Sequence, residues 1–144
     1  MSFALDANLL LYASDEESPH QARAEDFLRQ CVEGSELFCL AWPTVLGYLR
    51  IATHPSIFTR PLTPAQAEGN VDNLLSQPHV RTLAEQPGFW QAYREVTRGL
   101  VVRGNLVPDA HLATILFQHG IRTLYTTDAN FRLFASLRVQ NPLV

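Results

Sequence analysis

Phe3-Ala4-Leu5-Asp6-Ala7-Asn8-Leu9-Leu10-Leu11-Tyr12 decides how the rest of the chain is read. A short apolar run ends on a carboxylate, and a helix-like apolar pattern follows at once. That order predicts a first strand whose C-terminal tip presents Asp6. A short helix follows, with Asn8 as its cap and Leu9, Leu10, Tyr12 and Ala13 as its apolar positions. In open α/β sheets, ligands sit beyond the carboxyl ends of the strands. Two later stretches share this character: Asn105-Leu106-Val107-Pro108-Asp109-Ala110-His111-Leu112-Ala113 and Thr123-Leu124-Tyr125-Thr126-Thr127-Asp128-Ala129-Asn130-Phe131. The expectation is that Asp6, Asp109 and Asp128 converge on one divalent-metal site. Each acid also has a plain structural reading. Asp6 is a good helix cap, Asp109 sits where a helix dipole favours negative charge, and Asp128 suits an Asx turn.

Outward from that stretch, strands and helices alternate. Ser18 reads as an N-cap with Pro19 at the first helical position, opening a helix to about Val32 that Gly34 ends. Leu37-Phe38-Cys39-Leu40-Ala41 is a continuous apolar run, the mark of a strand buried on both faces. Trp42-Pro43-Thr44 opens a helix through about Thr53, with Gly47 in its middle at a cost of about 1 kcal/mol relative to Ala. Thr63-Pro64 starts another helix, to about Ser76. Val80 to Leu83 is a weak strand. Gly88 to Arg103 is the longest helical pattern, and its stripe of Phe89, Trp90, Tyr93, Val96, Leu100 and Val101 reads as core. A helix over Leu106 to Gln118 places Leu112, Ala113, Leu116 and Phe117 inside. A strand over Arg122 to Thr126, a helical turn and an edge strand at Leu137 to Val139 complete the chain. The alternation predicts a single α/β domain over residues 1–144, a three-layer α/β/α sandwich around a parallel sheet. Residues 43–76 would form a helical clip beside the site.

Composition narrows the function. The chain has 144 residues, 47% apolar and 17% charged, which is globular rather than disordered. Its formal net charge is −3, so it has no bulk attraction for nucleic acid. All 11 basic residues are Arg, and there is no Lys. Cys31 and Cys39 are too few for a disulfide framework or a cysteine zinc site and read as buried thiols. No apolar run approaches the ~20 residues of a membrane span, and no export leader is visible, so a cytoplasmic location is expected.

Grouped carboxylates suit Mg²⁺ or Mn²⁺, which prefer hard oxygen ligands and keep several waters. Such an ion orients a phosphodiester, lowers the pKa of a bound water and stabilises charge on phosphoryl oxygens. The sequence resembles PIN-domain ribonucleases, particularly the VapC toxins. The resemblance spans nearly the whole chain. It is carried by Leu5 to Tyr12, by Tyr48-Leu49-Arg50-Ile51-Ala52-Thr53-His54-Pro55, by Val107 to Ala113, by Thr126 to Phe131 and by Asn141-Pro142-Leu143. It implies a PIN-like fold and a Mg²⁺-dependent endoribonuclease acting on structured RNA such as tRNA or rRNA. Homodimerisation and inhibition by a co-expressed antitoxin are also implied. Matched by position, Asp6 and Asp109 are the principal metal ligands and Asp128 a third acid. Asn8 and Asn130 are polar neighbours that orient ligands or water, and Thr126 is a hydroxyl near the metal or phosphate.

One position departs from that pattern. Many PIN nucleases carry a Glu on the helix after the second strand, whereas here no Asp or Glu occurs between Glu36 and Glu68, and Gly47 lies near the expected place. This leaves a second reading, a catalytically weak or silent PIN module that binds antitoxin or RNA. Arg50 could pair with a carboxylate or grip phosphate. His111 reads as a packing or capping residue, His54 as a loop residue, and Glu68 and Asp72 as surface. Other acidic-pocket α/β classes fit poorly. Phosphoacceptor domains need a Lys, aspartyl phosphatases need a second Asp where Asn8 stands, and dinucleotide enzymes need a Gly-rich turn after the first strand.

Overall fold

The computed structural model describes residues 1–144. Five strands form one sheet in the order β3-β2-β1-β4-β5, every neighbouring pair parallel. They are β1 (Ser2–Leu5), β2 (Leu37–Ala41), β3 (Val80–Leu83), β4 (Thr123–Tyr125) and β5 (Arg138–Gln140). The helices are α1 (Ala7–Ser14), α2 (Gln21–Glu33), α3 (Trp42–Ala52), α4 (Pro64–Leu75), α5 (Phe89–Val96) and α6 (Leu106–Gln118). A short 3-10 helix covers Ala129–Leu133.

Side chains alternate along a strand, so each strand feeds two cores. Phe3, Leu5, Phe38, Leu40 and Val80 pack with Leu9, Leu10, Ala24, Cys31, Val45, Tyr48 and Ala67 from α1 to α4. Ala4, Cys39, Ala41, Leu83 and Leu124 pack on the other face, with Ala110, Leu112, Ala113, Ile115 and Leu116 of α6. These two clusters are the joints of the three-layer α/β/α sandwich. The small residues Ala4, Cys39 and Ala41 face α6, which is itself buried almost continuously from Ala110 to Leu116.

Four local expectations change. The cap of α1 is Asp6, not Asn8: its side chain accepts from the Ala7 amide at 2.8 Å, and Asn8 lies inside the helix. Ser18 accepts from the His20 amide, but α2 begins only at Gln21, so Pro19 precedes it. The long pattern after Gly88 supports only eight helical residues. Thr97 turns its hydroxyl back to the Tyr93 carbonyl at 2.8 Å, and Gly99 adopts φ +79°, a left-handed conformation no helix tolerates. Phe89, Tyr93, Val96 and Leu100 still pack on the second core, but Trp90 is 65% and Val101 79% exposed. Phe117, in the last turn of α6, is also exposed. At the other end of that helix's exit, Gly120 turns the chain with φ +70°.

Candidate metal and phosphodiester site

Beyond β1 the order runs to β2 and β3 on one side and to β4 and β5 on the other. The carboxyl edge between β1 and β4 is therefore the topological switch point, where a crevice opens. Asp6 follows β1 and Thr126 follows β4. Backbone bonds continue the ladder through both: the Asp6 amide donates to the Tyr125 carbonyl, and the Thr126 amide to the Gln140 carbonyl, each at 3.0 Å.

Thr126 is buried and organises what surrounds it. Its hydroxyl donates to Asp6 Oδ2 at 2.8 Å. Having spent its proton, the oxygen can only accept, and it does so from Asn8 Nδ2 at 3.1 Å and from the Asp128 amide at 3.0 Å. This chain fixes the Asn8 amide: a flip would set two acceptors against each other. Asn8 Oδ1 is thereby turned away, buried and without a hydrogen-bond partner. Asp128 caps the 3-10 helix by accepting from the Asn130 amide at 2.9 Å. Asn130 thus contributes backbone, and its side chain is exposed.

Asp109 stands in the first turn of α6. Burial pushes its carboxyl up to about 6, helped by the charges of Asp128 and Asp6. Asp6 is also raised, first by burial and then by the charge of Asp128, against the opposing hydrogen bonds from Thr126 and Ala7. Asp109 thus feels the charges of Asp128 and Asp6, and Asp6 feels that of Asp128, across long separations in sequence. No three His, Cys, Asp or Glu side chains are yet drawn close enough to enclose an ion. Neighbouring carboxylates disfavour each other's ionisation, and a cation relieves that cost. The donor set is all hard oxygen, and the unpartnered Asn8 Oδ1 adds another. These residues fit a Mg²⁺-like ion and could hold one.

Other candidates fall elsewhere. Arg50 is exposed in the last turn of α3 and pairs with none of the acids. His111 bonds Glu85 at 2.8 Å, and His54 Nδ1 accepts from the Ser56 amide at 3.1 Å; both serve local structure. Glu68 and Asp72 are exposed. A side chain built on Gly47 would meet nothing within 4 Å, so packing does not demand glycine there. Sequence reasoning passed over Thr44, whose buried hydroxyl in the first turn of α3 has no partner. A Thr just after a strand gives no signal of that kind before the fold is known.

No protein-family model matches the chain. Full-length relatives do. Ribonuclease VapC48 of Mycobacterium tuberculosis is 41% identical over 142 residues, covering 99% of this chain and 98% of that one. The chain belongs to the VapC ribonuclease family. Solved VapC structures share its fold at lower identity. VapBC2 from Rickettsia felis, bound to a promoter DNA fragment, aligns with a TM-score of 0.67 at 18% identity over 98% of both chains. The sarcin-ricin loop cleaving toxin VapC20 of Mycobacterium tuberculosis aligns at 0.65 with 15% identity, over 94% of this chain and 98% of that one. The α/β/α sandwich expected from the alternation of strands and helices, and the PIN-like fold implied by the resemblance, are thus the VapC architecture.

Proposed function

We propose that this VapC-family chain is a divalent-metal-dependent endoribonuclease, the toxin of a toxin–antitoxin pair, hydrolysing phosphodiester bonds in structured RNA such as tRNA or rRNA. The observation that carries the reading is electrostatic. Asp6 and Asp109 both hold their protons more tightly than a free carboxyl, first through burial and then through neighbouring carboxylates: Asp128 acts on both, and Asp6 on Asp109. Together with the 41% identity to a named VapC ribonuclease, that supports a cation site built for phosphoryl chemistry.

In this reading Asp6, Asp109 and Asp128 hold Mg²⁺, with Mn²⁺ able to replace it. The bound ion supplies a water of lowered pKa and neutralises charge on the phosphoryl oxygens. Thr126 favours the ionised form of Asp6 by donating to Oδ2, against the larger effect of burial, and it aims Asn8 so that Oδ1 faces away from the hydroxyl. The Asn130 amide orients Asp128. Arg50 grips a phosphate away from the acids rather than neutralising them. The partners are RNA, a cognate antitoxin and a second copy of the chain, in the cytoplasm. Residues 1–144 act as one PIN domain, with 43–76 as the clip. No helix is long and apolar enough to cross a membrane.

A second reading has one observation in its favour: α3 carries no acid, and Gly47 stands near the place of one. In that case the chain binds antitoxin or RNA without cutting. Incubation with tRNA and rRNA in Mg²⁺ separates the two. Discrete cleavage that EDTA stops, and that Asp6→Asn and Asp109→Asn each reduce by at least about 100-fold, is the expected result for an ion-held water. RNA binding with no Mg²⁺-dependent cleavage would leave only the silent module.

A further inference from the structure

Resting on the ribonuclease reading above, we propose that Trp42 is a substrate-stacking residue: its exposed indole receives an unpaired nucleobase beside the phosphate bound at the Asp6 edge. Trp42 follows Ala41, the last residue of β2. The β1–β2 register pairs Ala4 with Cys39, so Asp6 and Ala41 lie two steps further along the same edge. Trp42 therefore opens α3 directly beside the strand tip that presents Asp6. Its surface is 41% exposed.

Two other aromatic side chains are as exposed, and neither is so placed. Trp90 is stacked on Tyr93, centroids 5.6 Å apart and planes at 8°, so one of its faces is already covered. Phe117 lies eight residues after Asp109 on α6, about 12 Å along the helix from the acid. Trp42 takes part in no ring–ring pair.

The charge balance favours a contact that needs no field. With a net charge of −3 and no Lys, the chain has no general field to attract RNA, and its site adds three carboxylates. Stacking on an indole needs no field and tolerates any base. The rest of the same helix face continues the track. Trp42, Leu46 and Arg50 recur at four-residue spacing and share one face, Leu46 being 60% exposed. Arg50 is exposed in the last turn and forms no salt bridge, about 12 Å from Trp42 along the axis. A base on Trp42 and a phosphate on Arg50 suit a single strand laid along α3. Bases inside a duplex have both faces covered and cannot stack there. The geometry thus selects loops and bulges over helices.

The test uses the full chain carrying Trp90→Phe, which leaves Trp42 as the only tryptophan. A short single-stranded oligoribonucleotide is titrated in Ca²⁺, alongside the same oligonucleotide annealed to its complement. Saturable quenching by the single strand, absent with the duplex, is expected. Read by the fluorescence anisotropy of the same oligonucleotide carrying an end label, Trp42→Ala should weaken binding at least about fivefold, and Trp42→Phe should recover most of the loss. Divalent-ion affinity and the melting temperature should stay within error of the parent. Unchanged binding in Trp42→Ala overturns the proposal, as does equal quenching by the duplex. A Trp42→Ala variant that becomes monomeric yet binds RNA unchanged also overturns it, and gives this face to a second copy. Cleavage is followed in parallel in Mg²⁺. Trp42-dependent binding without any cleavage sinks the nuclease reading alone, whereas Asp6-dependent cleavage indifferent to Trp42 sinks this one alone.

Discussion

One proton sets the polarity of the candidate site. Thr126 gives its hydroxyl hydrogen to Asp6, so it must accept from Asn8, and the Asn8 carbonyl oxygen is left without a donor. Thr126→Val removes that proton, strips Asp6 Oδ2 of its donor while the Ala7 amide still serves Oδ1, and leaves the Asn8 amide unpaired. It should destabilise the fold by about 1–3 kcal/mol, while Thr126→Ser costs much less; urea unfolding of the two variants checks this. Asp109 yields a pH prediction of definite sign. Its folded pKa, about 6, lies above the ordinary value of 3.8, so the fold favours the protonated acid. Its contribution is most favourable below the unfolded pKa and is lost as pH rises through about 6. Two pKa units correspond to about 3 kcal/mol, but partial exposure reduces this to about 1 kcal/mol. Asp109→Asn should therefore melt higher than the parent at pH 8 without divalent ions, and the gap should close by pH 4. A variant that melts lower at pH 8 would mean that burial and neighbouring charge do not penalise the ionised Asp109.

At the scale of elements, caps and glycines divide into those the fold needs and those it does not. Thr63 and Gln66 form a reciprocal capping box at the start of α4, legible from the Thr-Pro-Ala-Gln order alone. Gly99 and Gly120 adopt positive φ and end helical segments. Gly47 does neither, for it sits inside α3 with open space where a Cβ would be. Gly47→Ala should raise stability by about 1 kcal/mol through helix propensity, read as a higher melting temperature. No gain would indicate a backbone constraint on α3 beyond its own hydrogen bonds. The α5 segment shows how periodicity misleads. Its apolar spacing runs on past Val96, but a threonine that bonds its own helix and a left-handed glycine stop the helix first. Trp90 then faces solvent against Tyr93 instead of core.

Across the whole molecule, the two cores clamp a sheet whose carboxyl edge carries the buried Asp6 beside the charge of Asp128, so a cation bound there would couple to stability. An ion that binds the folded chain alone should stabilise it by about 2.7 kcal/mol at 100 times its dissociation constant. Thermal melts in Mn²⁺ should shift upward for the parent and hardly at all for Asp6→Asn. Equal shifts in both would place the ion elsewhere. Most of the architecture could be read in one dimension. The apolar runs ending on Asp6 and Ala41, the alternation of strand and helix, and the absence of Lys all act through local sterics, burial and charge, which neighbouring residues determine. The cap of α1, the early end of α5 and the exposure of Trp42 and Trp90 needed coordinates, because each depends on which partner wins a hydrogen bond or a packing site. The electrostatic coupling of Asp6 and Asp109 to Asp128 belongs to the second kind. Sequence spacing could propose it, but Coulomb coupling falls off with distance; the pairing of β4 with β1 sets Asp128 near Asp6, and the packing of α6 on the sheet adds the charge felt by Asp109.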